Sequence, residues 1–172
     1  FLTLGLFLAG CKFHTYTDKN SGPVVKQTLS EQKFNSMKVS TDIVDTELHV
    51  GKTHKVIYRG LKRFKPSVQI KNGILTIKQE NKGGRYRISK DNVIAIYLPA
   101  KEIQKIDMHL EDGDIKVKQS NAHGYYLSSD DGDVTFKGTD HDNDDDGGSY
   151  TKNISSSNVL FAHSDDGDVT VN

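Results

Sequence analysis

A turn motif that recurs along the second half of the chain constrains the fold more than any other feature of the sequence. The segment Leu110–Lys118 recurs as Ser129–Lys137 and again as Ser164–Asn172, and each copy contains Asp-Gly-Asp. The central glycines lie 19 and 35 residues apart, a degenerate copy occupies Asp145–Thr151, and an earlier echo occupies Val44–Val50. A repeat of about 15–20 residues, each unit a turn plus a short strand, is typical of a β-solenoid, whose stacked coils share one core.

Apolar and polar residues alternate through most of the chain after residue 33, as in β-strands with one buried face. The sequence therefore predicts an all-β, β-solenoid-like stack of short strands with Asp-Gly turns, and essentially no helix outside the apolar N-terminal segment. Asp-Gly is a strong turn dipeptide, so we expect Gly113, Gly132 and Gly167 to adopt a positive φ. The repeat residues expected to face the core are Ile115, Val117, Val134, Phe136, Val169 and Val171.

The chain begins with an apolar run, Phe1–Gly10, that ends at its only cysteine, Cys11. Ten residues are too few to span a bilayer, which takes about 20, but they fit the apolar part of a secretory signal. The ending Leu8–Cys11 (Leu-Ala-Gly-Cys) resembles a bacterial lipobox, in which the cysteine is lipidated and the peptide is cut before it. Residues 1–10 are therefore interpreted as a signal-peptide remnant, and residues 11–33 as the lipidated cysteine and a flexible tether.

The remaining segment, 34–172, is interpreted as one domain. Its opening Phe34–Val50, the segment Asn72–Ile77, the strand Ile94–Pro99 and the ladder of Asp-Gly-Asp turns follow one another in a specific order. In these features it resembles the bacterial putative-adhesin family of all-β repeat domains, a family of unknown function. The resemblance implies an extracytoplasmic, solenoid-like domain of the cell envelope, and it supplies no catalytic residues.

The acidic residues of the repeated turns form the first candidate site. The formal charge is +11 over residues 1–105 and −11 over residues 106–172, so the second half should attract cations. If the turns stack, equivalent carboxylates lie about 4.8 Å apart. They then serve the turn alone, bind a bridging cation, or form a recognition edge for cationic ligands. The residues of this edge are Asp112, Asp114, Asp131, Asp133, Asp166 and Asp168.

An acidic insert forms the second candidate site. Asp142, Asp144 and Asp146, followed by Gly147, match the first six positions of an EF-hand calcium loop. The twelfth position is Asn153 where the motif requires Glu, and no helical pattern flanks it. The sequence predicts weak calcium binding here or a solvated acidic loop, and no other cofactor.

The sequence contains no nucleophile elbow, phosphate-binding loop or zinc pattern, so we predict a protein that is not an enzyme. Basic residues around Tyr58 and Phe64, and again at Arg85–Arg87, favour an anionic envelope polymer or lipid headgroups as partner. Nucleic acid is excluded, because export separates the chain from it. The sequence predicts a lipid-anchored envelope protein whose β-repeat domain serves in binding or adhesion. The alternatives are an envelope sensor or scaffold that binds another protein, and a polysaccharide-active β-helix enzyme.

Overall fold

In the computed structural model, the described residues form a 14-stranded sheet. The structure describes residues 16–18, 22–80, 92–99, 102–118, 121–138, 143–155 and 158–172. The strands are β1 (Tyr16–Asp18), β2 (Gly22–Ser30), β3 (Ser36–Thr41), β4 (Asp45–Gly51), β5 (Lys55–Leu61), β6 (Ser67–Lys71), β7 (Ile74–Gln79), β8 (Val93–Pro99), β9 (Glu102–Leu110), β10 (Ile115–Lys118), β11 (Asn121–Ser129), β12 (Val134–Lys137), β13 (Asn143–Ser155) and β14 (Asn158–Val171). One turn of 3-10 helix, Lys62–Phe64, follows β5.

Pairs of strands joined at a corner form coils, and the coils stack in parallel. In spatial order the coils are β7–β8, β3–β4, β9–β10, β11–β12 and the two halves of β14. We call the side formed by β7, β3, β9, β11 and the first half of β14 face 1. Face 2 consists of β8, β4, β10, β12 and the second half of β14. This arrangement confirms the predicted all-β, solenoid-like fold, although the order of the coils is not their order in the chain.

The core lies between the two faces and is filled by the inward side chains of each strand. All six repeat residues predicted to face the core are at most 2% exposed. The echo at Val44–Val50 is confirmed as part of a coil, because Leu48 is 1% exposed and pairs in register with Val117. Burial of a Val, Leu, Ile or Phe side chain contributes about 1.5–3 kcal/mol, so stacking supplies the stability that one coil lacks.

The predicted flexible tether is wrong for part of its length. Residues Gly22–Ser30 form β2, which pairs antiparallel with β5, while β1 pairs antiparallel with β2. Val24, Val25 and Leu29 are partly buried against the core. The alternation in this segment is too irregular to reveal a strand, and the edge of β5 that it covers exists only in the folded sheet. Cys11 and the predicted signal remnant lie outside the described residues.

The degenerate repeat copy at Asp145–Thr151 is not a coil of the parallel stack. It belongs to β13, which pairs antiparallel with β14 and covers the last coil. The pairing register shifts between Asp146 and Gly148, where two glycines interrupt the acidic run. The turn-like sequence therefore forms an irregularity in a long strand and not a corner of the solenoid.

Candidate functional site: the acidic corner

The repeated turns stack on one another at the edge where face 1 passes into face 2. We call the four turns Thr41–Asp45, Leu110–Asp114, Ser129–Asp133 and Ser164–Asp168 the acidic corner. Backbone hydrogen bonds continue from coil to coil through it, including Asp112 N to Asp42 O at 2.7 Å, Asp131 N to Glu111 O at 2.7 Å and Asp166 N to Asp130 O at 2.8 Å. The predicted stacking of the turn aspartates is therefore present.

The aspartates that follow the turn form a ladder of side-chain bonds. The backbone N–H of Asp114 donates to Asp45 Oδ1 at 3.0 Å, that of Asp133 to Asp114 Oδ1 at 3.2 Å, and that of Asp168 to Asp133 Oδ1 at 3.0 Å. Burial raises the pKa of Asp45 above its ordinary value, although the bond from Asp114 lowers it. One oxygen of Asp114 and one of Asp133 are thus engaged in holding neighbouring coils together.

Buried serines form a second ladder, which the sequence reasoning missed. Ser129 Oγ donates to Gly113 O at 2.8 Å and accepts the N–H of Gly132 at 3.1 Å. Ser164 Oγ makes the same two bonds one coil further, to Gly132 O at 2.9 Å and from Gly167 N at 2.8 Å. The signal was present, because a serine stands three residues before the glycine in two of the three repeats.

The turn glycines are required for a different reason from the one predicted. None of Gly113, Gly132 and Gly167 is among the residues with a positive φ. A Cβ on Gly113 would lie 2.7 Å from the carbonyl oxygen of Val44, and one on Gly132 or Gly167 would overlap the carbonyl of the glycine in the preceding coil. The prediction of positive φ is therefore wrong. Each glycine is required because it allows close approach of the next coil.

Carboxylates crowd the outer surface of the corner. The charge of Asp42 is the main cause that raises the pKa of Glu111, with smaller contributions from desolvation and from Asp112 and Asp130. Desolvation is the first cause that raises the pKa of Asp112, followed by a hydrogen bond with Asp131 and by the charges of its acidic neighbours. The exposed edge therefore carries a dense negative potential that would favour a cation.

The half EF-hand motif does not form a loop where the structure describes it. Asp144 and Asp146 lie in the extended strand β13, paired with Thr170 and Asp168 of β14, whereas an EF-hand loop wraps around its ion. Asp142 lies outside the described residues. In the described part of the chain, no group of three or more His, Cys, Asp or Glu side chains is placed to hold a metal ion.

The aromatic residues of the basic cluster belong to the core. Tyr58 is 0% exposed and donates its hydroxyl to Leu61 O at 2.7 Å, and Phe64 is 3% exposed. They therefore do not present ring faces to a ligand, although Lys62 and Arg63 beside them are exposed. Arg85–Arg87 lie outside the described residues. Across the stretches that the structure describes, no helix is long and apolar enough to cross a membrane.

The chain is similar to solved structures and matches a family model. The search of curated proteins found no match. A putative adhesin from Bacteroides fragilis is 15% identical, with 67% of this chain and 63% of that chain covered and a TM-score of 0.44. A putative cell adhesion protein from Clostridium sporogenes is 19% identical, with 73% and 61% covered and a TM-score of 0.49. The chain thus spans less than two thirds of the length of these two structures. The family model described as Toastrack DUF4097 matches residues 34–172, and the chain belongs to this family.

Proposed function

We propose that this chain is a lipid-anchored protein of the bacterial cell envelope, whose non-catalytic β-repeat domain binds surface molecules, as in adhesion. The observation that carries the proposal is the separation of negative and positive charge along two neighbouring strands of face 2. Strands β10 and β12 each follow an aspartate of the acidic corner and end at Lys118 and Lys137. Because side chains fill the interior, binding would use this charged outer surface.

The lipid anchor is supported by the Leu-Ala-Gly-Cys ending at Cys11, and the position of β1 sets the distance between this anchor and the domain. Strand β1 begins at Tyr16, five residues after Cys11. Because an extended chain spans at most about 3.3–3.6 Å per residue, Tyr16 would lie within about 18 Å of the lipidated cysteine. The domain would be held close to the membrane, with β1 and β2 nearest to the anchor.

An anionic envelope component is the partner that the charges favour. The region nearest the anchor carries exposed cations on β2, on β5, in the 3-10 turn and at the residue that follows this turn, and their side chains would face an anionic surface favourably. These residues are Lys26, Arg59, Lys62, Arg63 and Lys65. Nucleic acid is not proposed, since an exported protein does not meet it.

The anchor is tested with Cys11→Ser. Wild-type protein should remain in the membrane fraction through a high-salt wash and leave it only with detergent, because two acyl chains hold stably. The variant should be released by high salt, since only salt-sensitive contacts of the domain would remain. Thr15→Ser, outside the Leu-Ala-Gly-Cys motif, is the matched control and should behave as wild type. A Cys11→Ser protein that resists the high-salt wash would refute the anchor.

Binding by the domain is tested with the released Cys11→Ser protein. It should rebind to isolated cell envelopes at low ionic strength and dissociate as salt is raised. No rebinding at any salt concentration would contradict the proposed binding role.

A further inference from the structure

A cleft of about 510 Å³ on face 2 crosses β4, β10 and β12 at the end of these strands opposite the acidic corner. Its charged and titratable lining consists of Glu47, His49, Lys116, Lys118 and Lys137. The cleft therefore brings three lysines together against one carboxylate.

Two of the three lysines in the cleft have no carboxylate partner among the described residues. Lys116 Nζ lies 3.3 Å from Asp114 Oδ2, and Glu47 Oε2 is hydrogen-bonded to His49 Nε2 of its own strand at 3.0 Å. Among the described residues, no carboxylate lies within ion-pair distance of Lys118 or Lys137. Within the part of the chain that the structure describes, Lys118 and Lys137 are therefore the lysines of the cleft without an ion-pair partner.

The strand register places the two lysines opposite one another, which is unfavourable unless an anion lies between them. Lys118 of β10 and Lys137 of β12 are direct partners in neighbouring coils, and like charges opposite one another destabilise a sheet. Lys116 lies two residues before Lys118 on the same face, about 6.6 Å along the strand. An anionic group seated between them would relieve the repulsion and contact several ammonium groups at once.

The cations of the cleft suit a phosphate ligand. All its full cations are lysines, which bind phosphate oxygens as point charges. A second cleft of about 290 Å³ adjoins the first at Glu47 and is lined by Lys26 and Arg59. Strand β5, which carries Arg59, is four strand spacings from β12, or about 19 Å. One phosphate cannot reach both groups of cations.

We propose that face 2 binds a phosphate-bearing polymer chain that lies across the strands, with Lys118 and Lys137 as its principal contacts. This inference rests on the proposed function, because it names the ligand class and the surface that the binding domain would use. The aspartates at the corner end of the same strands would repel the polymer and confine it to the lysine end of face 2.

The test uses the purified full chain and long-chain inorganic polyphosphate, with binding measured by calorimetry. Lys118→Glu with Lys137→Glu should weaken binding at least tenfold, while Lys38→Glu with Lys78→Glu should change it less than twofold. The control substitutions change the net charge by the same amount as the cleft substitutions, but their residues are exposed on β3 and β7 of face 1. Circular dichroism should show that both variants fold. For three phosphate contacts, the slope of log K against log salt should be about −2, and it should be less negative than −1 in the cleft variant.

Three further probes identify the source of the anion. Orthophosphate and polyglutamate should each bind at least tenfold more weakly than polyphosphate, and vesicles containing phosphatidylglycerol should not compete with it. Equal loss in both variants, equal binding of polyglutamate, saturation by orthophosphate or competition by the vesicles would each overturn the proposal. If polyphosphate does not bind but the Cys11→Ser protein still rebinds to envelopes, this site fails and the proposed function stands. If polyphosphate binds through the cleft but Cys11→Ser resists high salt, the anchor fails and the site stands.

Discussion

Gly132→Ala should destabilise the fold strongly, because the new methyl group has no space between coils. Its Cβ would overlap the carbonyl of Gly113 and lie 2.8 Å from Ser129 Oγ. Overpacking of this kind costs about 1–3 kcal/mol. Displacing Ser129 from its bond to Gly113 O leaves a buried polar group unpaired, which costs about 1–3 kcal/mol more. We expect a loss of about 3 kcal/mol in the free energy of unfolding, and in a chain of this size about 6–12 °C in Tm.

The assay is thermal and urea unfolding followed by circular dichroism. Gly51→Ala is the matched control, because its Cβ would lie 3.5 Å from the Cβ of Tyr97, an ordinary contact, and Gly51 has no positive φ. It should change the free energy of unfolding by less than about 0.5 kcal/mol, as surface substitutions usually do.

Gly132→Asn separates close approach from turn conformation. Asparagine tolerates positive φ better than alanine does, so it would be the milder change if the glycine served the backbone conformation. With close approach as the cause, Gly132→Asn should be at least as destabilising as Gly132→Ala. A Gly132→Ala protein as stable as Gly51→Ala, or a clearly milder Gly132→Asn, would refute the reasoning.

The other predictions concern the acidic corner and the acidic residues of β13. Ser129→Ala should lower the free energy of unfolding by about 1–3 kcal/mol, since it leaves buried backbone groups unpaired. Ser128→Ala, at the half-buried neighbouring residue, is the control and should change the free energy of unfolding only slightly. The raised pKa of Asp112 favours the folded state below about pH 4, where both states are protonated, and this contribution is lost as the pH rises through the folded pKa. Asp112→Asn should therefore raise Tm by about 1–2 °C at pH 7 and not at pH 3, and an equal gain at both would contradict this. Calcium should bind with a Kd no tighter than about 10⁻⁴–10⁻³ M, stabilising by only about 0.4 kcal/mol when its concentration equals Kd. If calcium bound with a micromolar Kd and the double variant Asp144→Asn with Asp146→Asn no longer bound it, the expectation of weak binding by the acidic insert would be wrong.

The acidic corner could be predicted in position but not in the roles of its atoms. The repeat placed Asp112, Asp131 and Asp166 in one column, because side chains at equivalent positions of stacked coils must lie above one another. The bonds of Asp114 and Asp133 to the next coil depend on the offset between neighbouring turns, which no single repeat encodes. The lysine cleft was not predicted, because it joins residues whose strands are neighbours only in the folded sheet.

The sequence by itself determined the alternating strands of the repeats and their inward face, since a period of two fixes which side chains share a face. It also determined that coils stack, because one turn and strand cannot bury its apolar side alone. Only the tertiary structure decided the order of the coils, in which β3–β4 lies between β7–β8 and β9–β10. It likewise decided the pairing of β2 with β5 and of β13 with β14. The physical reason is that backbone hydrogen bonds between strands are independent of side-chain identity, so an edge strand is selected by the partner edge that the completed sheet leaves open.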